Sequence, residues 1–229
     1  MGVLGAFSKG APVRVIGNQA SGAQDLYWYV KADSPIKSWA DTDGKTLAYS
    51  TNGSSTHGVV TAFMAEKKLK AKPVGTGNAP GTLTQVMSGQ IDIGWAAPPF
   101  GLEQLDKGEI RLLARGSDSA FDGQTVRFNV ATVAALAAKR DQITRFARAY
   151  REALDTMYTD AGLDAYAQWI NLSLDKARRV RDDFFPKSSL DPDRIIGLDV
   201  IVQEAVKLKY TAELLTKAQL TELIQIPPK

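Results

Sequence analysis

One stretch constrains the fold more than any other. Residues 46–67 read T-L-A-Y-S-T-N-G-S-S-T-H-G-V-V-T-A-F-M-A-E-K. Residues 47–50 form a short strand-like run, and residues 51–58 are all small or polar. Val60, Phe63 and Met64 then keep the i, i+3, i+4 spacing of one helix face. A strand, a tight polar loop and a helix in that order direct the unpaired N–H groups of the first helical turn at whatever lies above them. The positive end of the peptide dipoles points the same way. Ser54, Ser55 and Thr56 add hydroxyls at that turn. Such a turn holds an anion or a strongly polar group. Ordinary N-capping by Ser or Thr accounts for the same residues without a ligand.

The remaining pattern sets the fold class. Residues 13–17, 26–31, 72–75, 91–96 and 110–115 read as strands, with residues 18–24 a polar loop. Short helices are expected at 82–88, stopped by Gly89, and from Pro98 and Pro99 through Leu105. Strands alternating with helices predict a parallel sheet covered on both faces. Residues 126–131 are the last clear strand, and the chain is helical from Ala134 onward. Ile143, Phe146, Ala147, Tyr150, Leu154 and Met157 form a helical stripe, which predicts packing into a core. Further helices are expected at 163–170, 174–184, 192–208 and 216–224, with Pro192 in a first turn.

Composition removes several functions. The chain has 229 residues, a net charge of +3 and no long basic run, so nucleic acid is not an expected partner. The densest basic cluster, Lys176, Arg178, Arg179 and Arg181, runs into Asp182 and Asp183 and reads as a solvated helix face. With no cysteine, disulfides, thiolate metal sites and a cysteine nucleophile are excluded. No apolar run reaches the length of a membrane span. The opening M-G-V-L-G-A-F-S-K-G does not have the pattern of a signal peptide.

Individual residues leave choices open. G-T-G-N-A-P-G at 75–81 resembles a nucleotide loop but fails G-x-G-x-x-G, because Pro80 stands at the third glycine. His57 is the one histidine, so it has no histidine or cysteine partner for a metal. It can serve catalysis with Ser54, donate to a ligand, or simply pack. Trp95 falls at the end of an expected parallel strand, where open α/β sheets collect ligands; it stacks on a ligand or fills core. Asn78 has the same position after the preceding strand, with turn formation as the alternative. Asn18, Gln19 and Ser21 follow the first strand at its carboxyl end. Arg127 lies inside a β-type run and is either an exposed edge residue, the favoured reading, or a buried partner for an anion.

With these residues in place, the chain resembles the solute-binding proteins of nitrate/sulfonate/taurine-type ABC importers and their thiamine-precursor relatives. The marks are Y-W-Y-V-K-A-D-S-P-I-K-S-W-A-D-T-D-G-K-T-L-A-Y, the S-T-N-G-S-S-T-H loop, M-S-G-Q-I-D-I-G-W-A-A-P and the tail L-K-Y-T-A-E-L-L-T-K-A-Q-L-T-E-L-I. Their order and spacing carry the likeness across residues 13–227. The resemblance implies an α/β, two-lobe periplasmic-binding-protein-like (class II) fold with an incomplete first lobe and a helical C-terminal part. Residues 1–25 and 132–229 would form the first lobe and residues 26–131 the second. The implied function is binding of a small anionic or polar organic solute in an interlobe cleft, in the periplasm, for delivery to the membrane subunits of an ABC importer. No cofactor, metal or catalytic residue is implied. Ser54, Ser55, Thr56 and His57 match the family loop at the ligand's polar head, and Asn78, Trp95, Asn18 and Gln19 would face the same ligand.

Members of the family usually carry a signal peptide and two further β–α units before the equivalent of Val13. These are missing here, so the first lobe is expected to expose sheet edges, and the chain either to self-associate or to be a truncated product with weakened binding. Two other readings share the architecture. One is the effector-sensing domain of a LysR-like regulator, which a preceding helix-turn-helix would mark. The other is a thiamine-pyrimidine synthase-like enzyme, which employs a histidine and a cysteine-rich segment, whereas this chain has no cysteine.

Overall fold

The structure, a computed structural model, describes residues 1–229. In chain order the elements are α1 (Gly2–Ser8), β1 (Val13–Ser21), β2 (Tyr27–Lys31), β3 (Thr46–Tyr49), α2 (Ser55–Glu66), β4 (Lys72–Gly75), α3 (Ala79–Met87), β5 (Gly94–Ala96), α4 (Leu102–Asp106) and β6 (Ile110–Arg115). Then follow β7 (Thr125–Thr132), α5 (Val133–Ala138), α6 (Arg140–Met157), α7 (Asp160–Trp169), α8 (Leu174–Phe184), α9 (Leu198–Lys207) and α10 (Lys217–Leu223). They divide into two compact units, Met1–Ser21 with Gly123–Lys229, and Gly22–Asp122. The division therefore differs from the expected 26 and 131. Strand β7 belongs with the first unit because its ladder partner is β1.

The Gly22–Asp122 unit is built on one mixed sheet. Strands β3 and β4 pair in parallel, Thr46 opposite Lys72 through Tyr49 opposite Gly75. A parallel bridge at Leu47 and Ile93 leads on to β5, with Ala48 N donating to Ile93 O at 2.9 Å and Ile93 N to Thr46 O at 3.0 Å. Strand β2 then pairs antiparallel with both β5 and β6. The order is β4-β3-β5-β2-β6, and β2 alone runs against the rest. This corrects the expected all-parallel sheet. Strand β2 precedes the β3–α2–β4–α3–β5 run of parallel crossovers and is no part of it, and it pairs antiparallel with both strands that flank it. The expected strand at residues 91–96 is also shorter, at 94–96.

Aromatic residues make both faces of that sheet. Trp28 is fully buried and meets the Phe63 ring edge-on, with centroids 5.3 Å apart at 86°. Its indole N–H donates to Ala48 O at 2.9 Å, so the buried donor is satisfied. Trp39 closes on the other side of Phe63 at 4.7 Å. Opposite partners in an antiparallel pair share a face, and neighbours along a strand alternate. Trp28 and Trp95, which pair, therefore lie on the α2 side, and Tyr27, Tyr29, Gly94 and Ala96 lie on the other.

The first unit is a two-stranded antiparallel ribbon, β1 with β7, surrounded by helices. Helix α1 has no counterpart among the expected elements. Its Leu4 joins Val15, Ile201, Val202, Ala205, Leu215 and Leu223 in the main core, where α9 supplies the apolar face. Leu163, Ala167 and Ala177 form a smaller core between α7 and α8. The C-terminal segment adds a bridge beside β1, with Gln225 N donating to Val15 O at 2.8 Å. Arg151 holds Asp193 by a forked pair at 3.0 and 2.6 Å and donates to Pro227 O at 2.8 Å, tying α6 to the chain end.

Two further expectations are corrected here. The apolar stripe of α6 packs into no core, since the helix has no buried residue and Phe146 is 52% exposed. The amphipathic period records which face is apolar and says nothing of whether a partner covers it. Pro192 opens no helix either. Residues 192–197 precede α9, and Gly197 caps it in the left-handed conformation at φ 64°. Pro192 O instead accepts from Asn18 N at 2.9 Å.

Candidate ligand-binding site

The turn between β3 and α2 forms as its sequence dictates. Ser54 is the N-cap, in extended conformation, and its hydroxyl accepts from His57 N at 3.2 Å. Ser54 Oγ also lies 2.9 Å from Ser50 Oγ and 2.9 Å from Thr56 Oγ1, and Ser50 Oγ lies 2.8 Å from Thr56 Oγ1. The three hydroxyls form a closed triangle. Ser50 N donates into it at Thr56 Oγ1, 2.9 Å away. Hydroxyls rotate to suit their partners, so the triangle can turn a donor outward when an acceptor arrives.

His57 stands beside this triangle. Gly53 N donates to its Nδ1 at 3.0 Å, and Tyr49 lies against the ring at 4.5 Å and 31°. Burial lowers its pKa below the ordinary histidine value, so the ring is neutral at neutral pH. With Nδ1 accepting, the neutral ring carries its proton on Nε2. No hydrogen bond joins the Ser54 hydroxyl to the imidazole, because Ser54 is engaged by Ser50, Thr56 and the His57 backbone. The two residues do not form a nucleophile–base pair.

A second helix begins next door. Asn78 is the N-cap of α3, and its carbonyl oxygen accepts from Gly81 N at 2.8 Å. Gly77 N donates to Ser50 O at 3.0 Å and Thr76 N to Tyr49 O at 2.8 Å, so the β4–α3 turn lies directly against the β3–α2 turn. Trp95, the middle residue of β5, donates from its indole to Thr76 Oγ1 at 3.2 Å. Ser54, Ser55, Thr56, His57, Asn78 and Trp95 thus gather at one end of the sheet, the carboxyl end of the parallel strands β3 and β4. Two sets of first-turn N–H groups open there. Both helices exceed eight residues, α2 with 12 and α3 with 9.

Asn18 and Gln19 do not take the expected loop positions. Both lie inside β1, which continues to Ser21 because β7 pairs with it as far as Thr125. Asn18 is buried and its amide donates to Asp191 O at 2.9 Å and Ser21 Oγ at 3.2 Å, a brace within the first unit. Gln19 is exposed on the same strand. Tyr49, Ser50 and Thr76 were not singled out from the sequence. Their signal was positional, since each is the last or next residue at a strand's carboxyl end. Arg127 is half-buried.

The model of the family described as "NMT1/THI5 like" matches residues 2–161. No match was found among curated proteins. Among solved structures, the alkanesulfonate-binding protein SsuA from Xanthomonas axonopodis pv. citri, bound to MOPS, is 20% identical with a TM-score of 0.76. The match covers 97% of this chain and 77% of that one. The periplasmic aliphatic sulphonate-binding protein SsuA from Escherichia coli is 19% identical with a TM-score of 0.71, over 98% of this chain and 72% of that one. The desulfurization enzyme DSZB is 15% identical with a TM-score of 0.58, over 94% and 77%. Such identities speak for the fold, while the family model carries the relationship in sequence. With that model spanning most of its length, the chain belongs to the NMT1/THI5-like family and has the mixed α/β fold of the periplasmic solute-binding proteins of ABC importers.

Proposed function

We propose that the chain binds a small anionic or polar organic solute, of the sulfonate, nitrate or carboxylate kind, for delivery to the membrane subunits of an ABC importer in the periplasm. The observation that carries the reading is the hydrogen bond from Gly77 N to Ser50 O, which brings the starts of α2 and α3 together. Two helix N-termini on one spot concentrate N–H donors and positive dipole ends. The Ser50–Ser54–Thr56 hydroxyls and the His57 Nε2 proton supply further uncharged donors. Backbone N–H and hydroxyl donors meet an ionised oxygen in charge-assisted hydrogen bonds without a cationic side chain. The sulfonate-binding neighbours favour a sulfonate over the other anions.

Thermal unfolding in the presence of taurine, alkane- and arylsulfonates, nitrate, bicarbonate and aromatic carboxylates tests this. A ligand that binds only the folded state adds about 2.7 kcal/mol at a hundredfold excess over Kd. Replacing Ser54 and Ser55 together by Ala is expected to weaken the responding ligand. Unchanged affinity in that variant would remove the loop from the site. The DSZB neighbour supports an enzymatic alternative, but the missing Ser54–His57 hydrogen bond weighs against acyl-transfer chemistry here. Turnover of a sulfonate or sulfinate that is lost in His57→Gln would restore it.

A further inference from the structure

Residues 51–54, between β3 and α2, form a β-turn. Ser54 N donates to Thr51 O at 3.1 Å, which makes Asn52 and Gly53 the two central residues. Both are exposed. Gly53 has a φ of 82°, and a Cβ built on it would meet nothing within 4 Å, so the turn stands clear of the rest of the chain. This is the one Asn-Gly pair in the sequence. The chemistry of such a pair is general. The side-chain carbonyl carbon of Asn is an electrophile, and the next backbone nitrogen reaches it by closing a five-membered ring. Glycine brings no side chain to hinder the approach. The reaction is ordinarily slow, because an amide nitrogen is a poor nucleophile until its proton is removed.

Two side chains bear on the two reacting groups. The Gly53 N–H belongs to the central peptide of the turn and has no partner inside it; it donates to His57 Nδ1 at 3.0 Å. That is the reach of a general base on the proton that must leave. The Tyr49 hydroxyl donates to Asn52 Oδ1 at 2.7 Å, the oxygen on which negative charge develops when the carbonyl is attacked. Tyr49 is also the titratable group that faces the imidazole ring, 4.5 Å away. Burial lowers the His57 pKa, with no contribution from a charged neighbour, so Nδ1 is unprotonated at neutral pH. Electrophile, polarising donor, nucleophile and base thus all fall within residues 49–57.

We propose that Asn52 is a self-modification site, at which His57 promotes ring closure by Gly53 N and Tyr49 stabilises the developing oxyanion. Gly53 N forms a bond to Asn52 Cγ as His57 Nδ1 takes the nitrogen's proton. The Cγ–Nδ2 bond then breaks, and the proton on Nδ1 passes to the departing nitrogen, which leaves as ammonia. Water opens the resulting succinimide at either carbonyl, giving aspartate or isoaspartate in place of Asn52. The steps need water and no oxidant, reductant or cofactor. The product carries a carboxylate two residues before Ser54, the N-cap of α2. Weaker binding of an anion by the modified chain follows only where the solute-binding reading holds; the modification itself does not depend on it.

The test is to age the whole chain in buffer without any solute and to follow the tryptic peptide of residues 46–67 by mass spectrometry. The peptide is expected first lighter by one ammonia, then with an acid in place of the amide, much of it in isoaspartyl linkage. Asn52 should react faster in the folded chain than in the same chain unfolded in guanidinium. His57→Gln should slow the folded chain at least about tenfold. Tyr49→Phe, which keeps the ring, should slow it about three- to tenfold. The native rate should level off once His57 is neutral, whereas the rate in His57→Gln should rise in proportion to hydroxide. The inference is overturned if the folded chain reacts no faster than the unfolded one, if either variant reacts at the native rate, or if native chain and His57→Gln share one pH profile. The folded-against-unfolded comparison uses the native chain alone, so it decides the matter even where a variant fails to fold.

Discussion

Helices α2 and α6 answer the same kind of sequence signal in opposite ways. Helix α2 carries Val59, Val60 and Phe63, all with no exposed surface, against the Trp28 side of a five-strand order. Helix α6 carries the more regular apolar stripe, yet none of its residues is buried. The strand count beneath them differs too. The Gly22–Asp122 unit supplies five strands in sequence, while the first unit supplies the β1–β7 ribbon alone. A two-stranded ribbon offers little apolar face, and its stability must come from what packs on it. The comparison teaches that a helical stripe reports a demand for cover, and the neighbouring sheet decides whether the demand is met.

The largest test of that contrast is a pair of truncations. Trp28→Ala removes a fully buried ring and an indole hydrogen bond, and should cost about 3–5 kcal/mol in denaturant unfolding. Phe146→Ala, on the exposed strip of α6, should change stability by less than about 0.5 kcal/mol. A large loss at Phe146 in dilute protein, where the chain is a single copy, would mean that the chain itself covers the face, and the contrast between the two helices would fall.

The oligomeric state sharpens the same point. An exposed apolar strip with Phe146, together with Val130 and Val133 at 43% and 39% exposure, favours association. We expect light scattering to give a concentration-dependent mass above the 24.8 kDa of one chain. Phe146→Asp should return the mass to that value. A clean monomer at every concentration would contradict self-association through this unit.

The smallest effect is expected at His57. Its folded pKa is lowered by burial, so on acidification the unfolded chain takes up a proton first. Stability contributed by the neutral ring is therefore complete above the ordinary histidine pKa of about 6.5 and is lost as pH falls below it. His57→Gln should flatten that shallow slope in melting temperature against pH. A native slope of the opposite sign would place a negative partner near the ring.

The candidate site was legible where its signals are local. Capping by Ser or Thr ahead of α2 and Lys72–Gly75 as a strand follow from residue type and period within a few positions, whereas Asn78, expected in a loop before a helix at 82–88, caps a helix that already starts at Ala79. Asn18 and Gln19 were misplaced because the limit of β1 is set by β7, more than a hundred residues away in sequence. Tyr49 and Thr76 escaped notice because their roles, stacking on His57 and holding Trp95, exist only once three strands lie side by side.

By itself, the sequence determined that a polar turn starts a helix after the strand-like run at residues 47–50, that no thiol chemistry is available, and that α6 has an apolar face. Those properties depend on residue type and on neighbours three or four positions away. Only the tertiary structure decided that β2 runs against its neighbours, that two helix starts meet at Ser50 and Gly77, and that the α6 stripe is half-covered, with Phe146 left exposed. These outcomes depend on which distant segments pair across the sheet, and local propensity does not encode that choice.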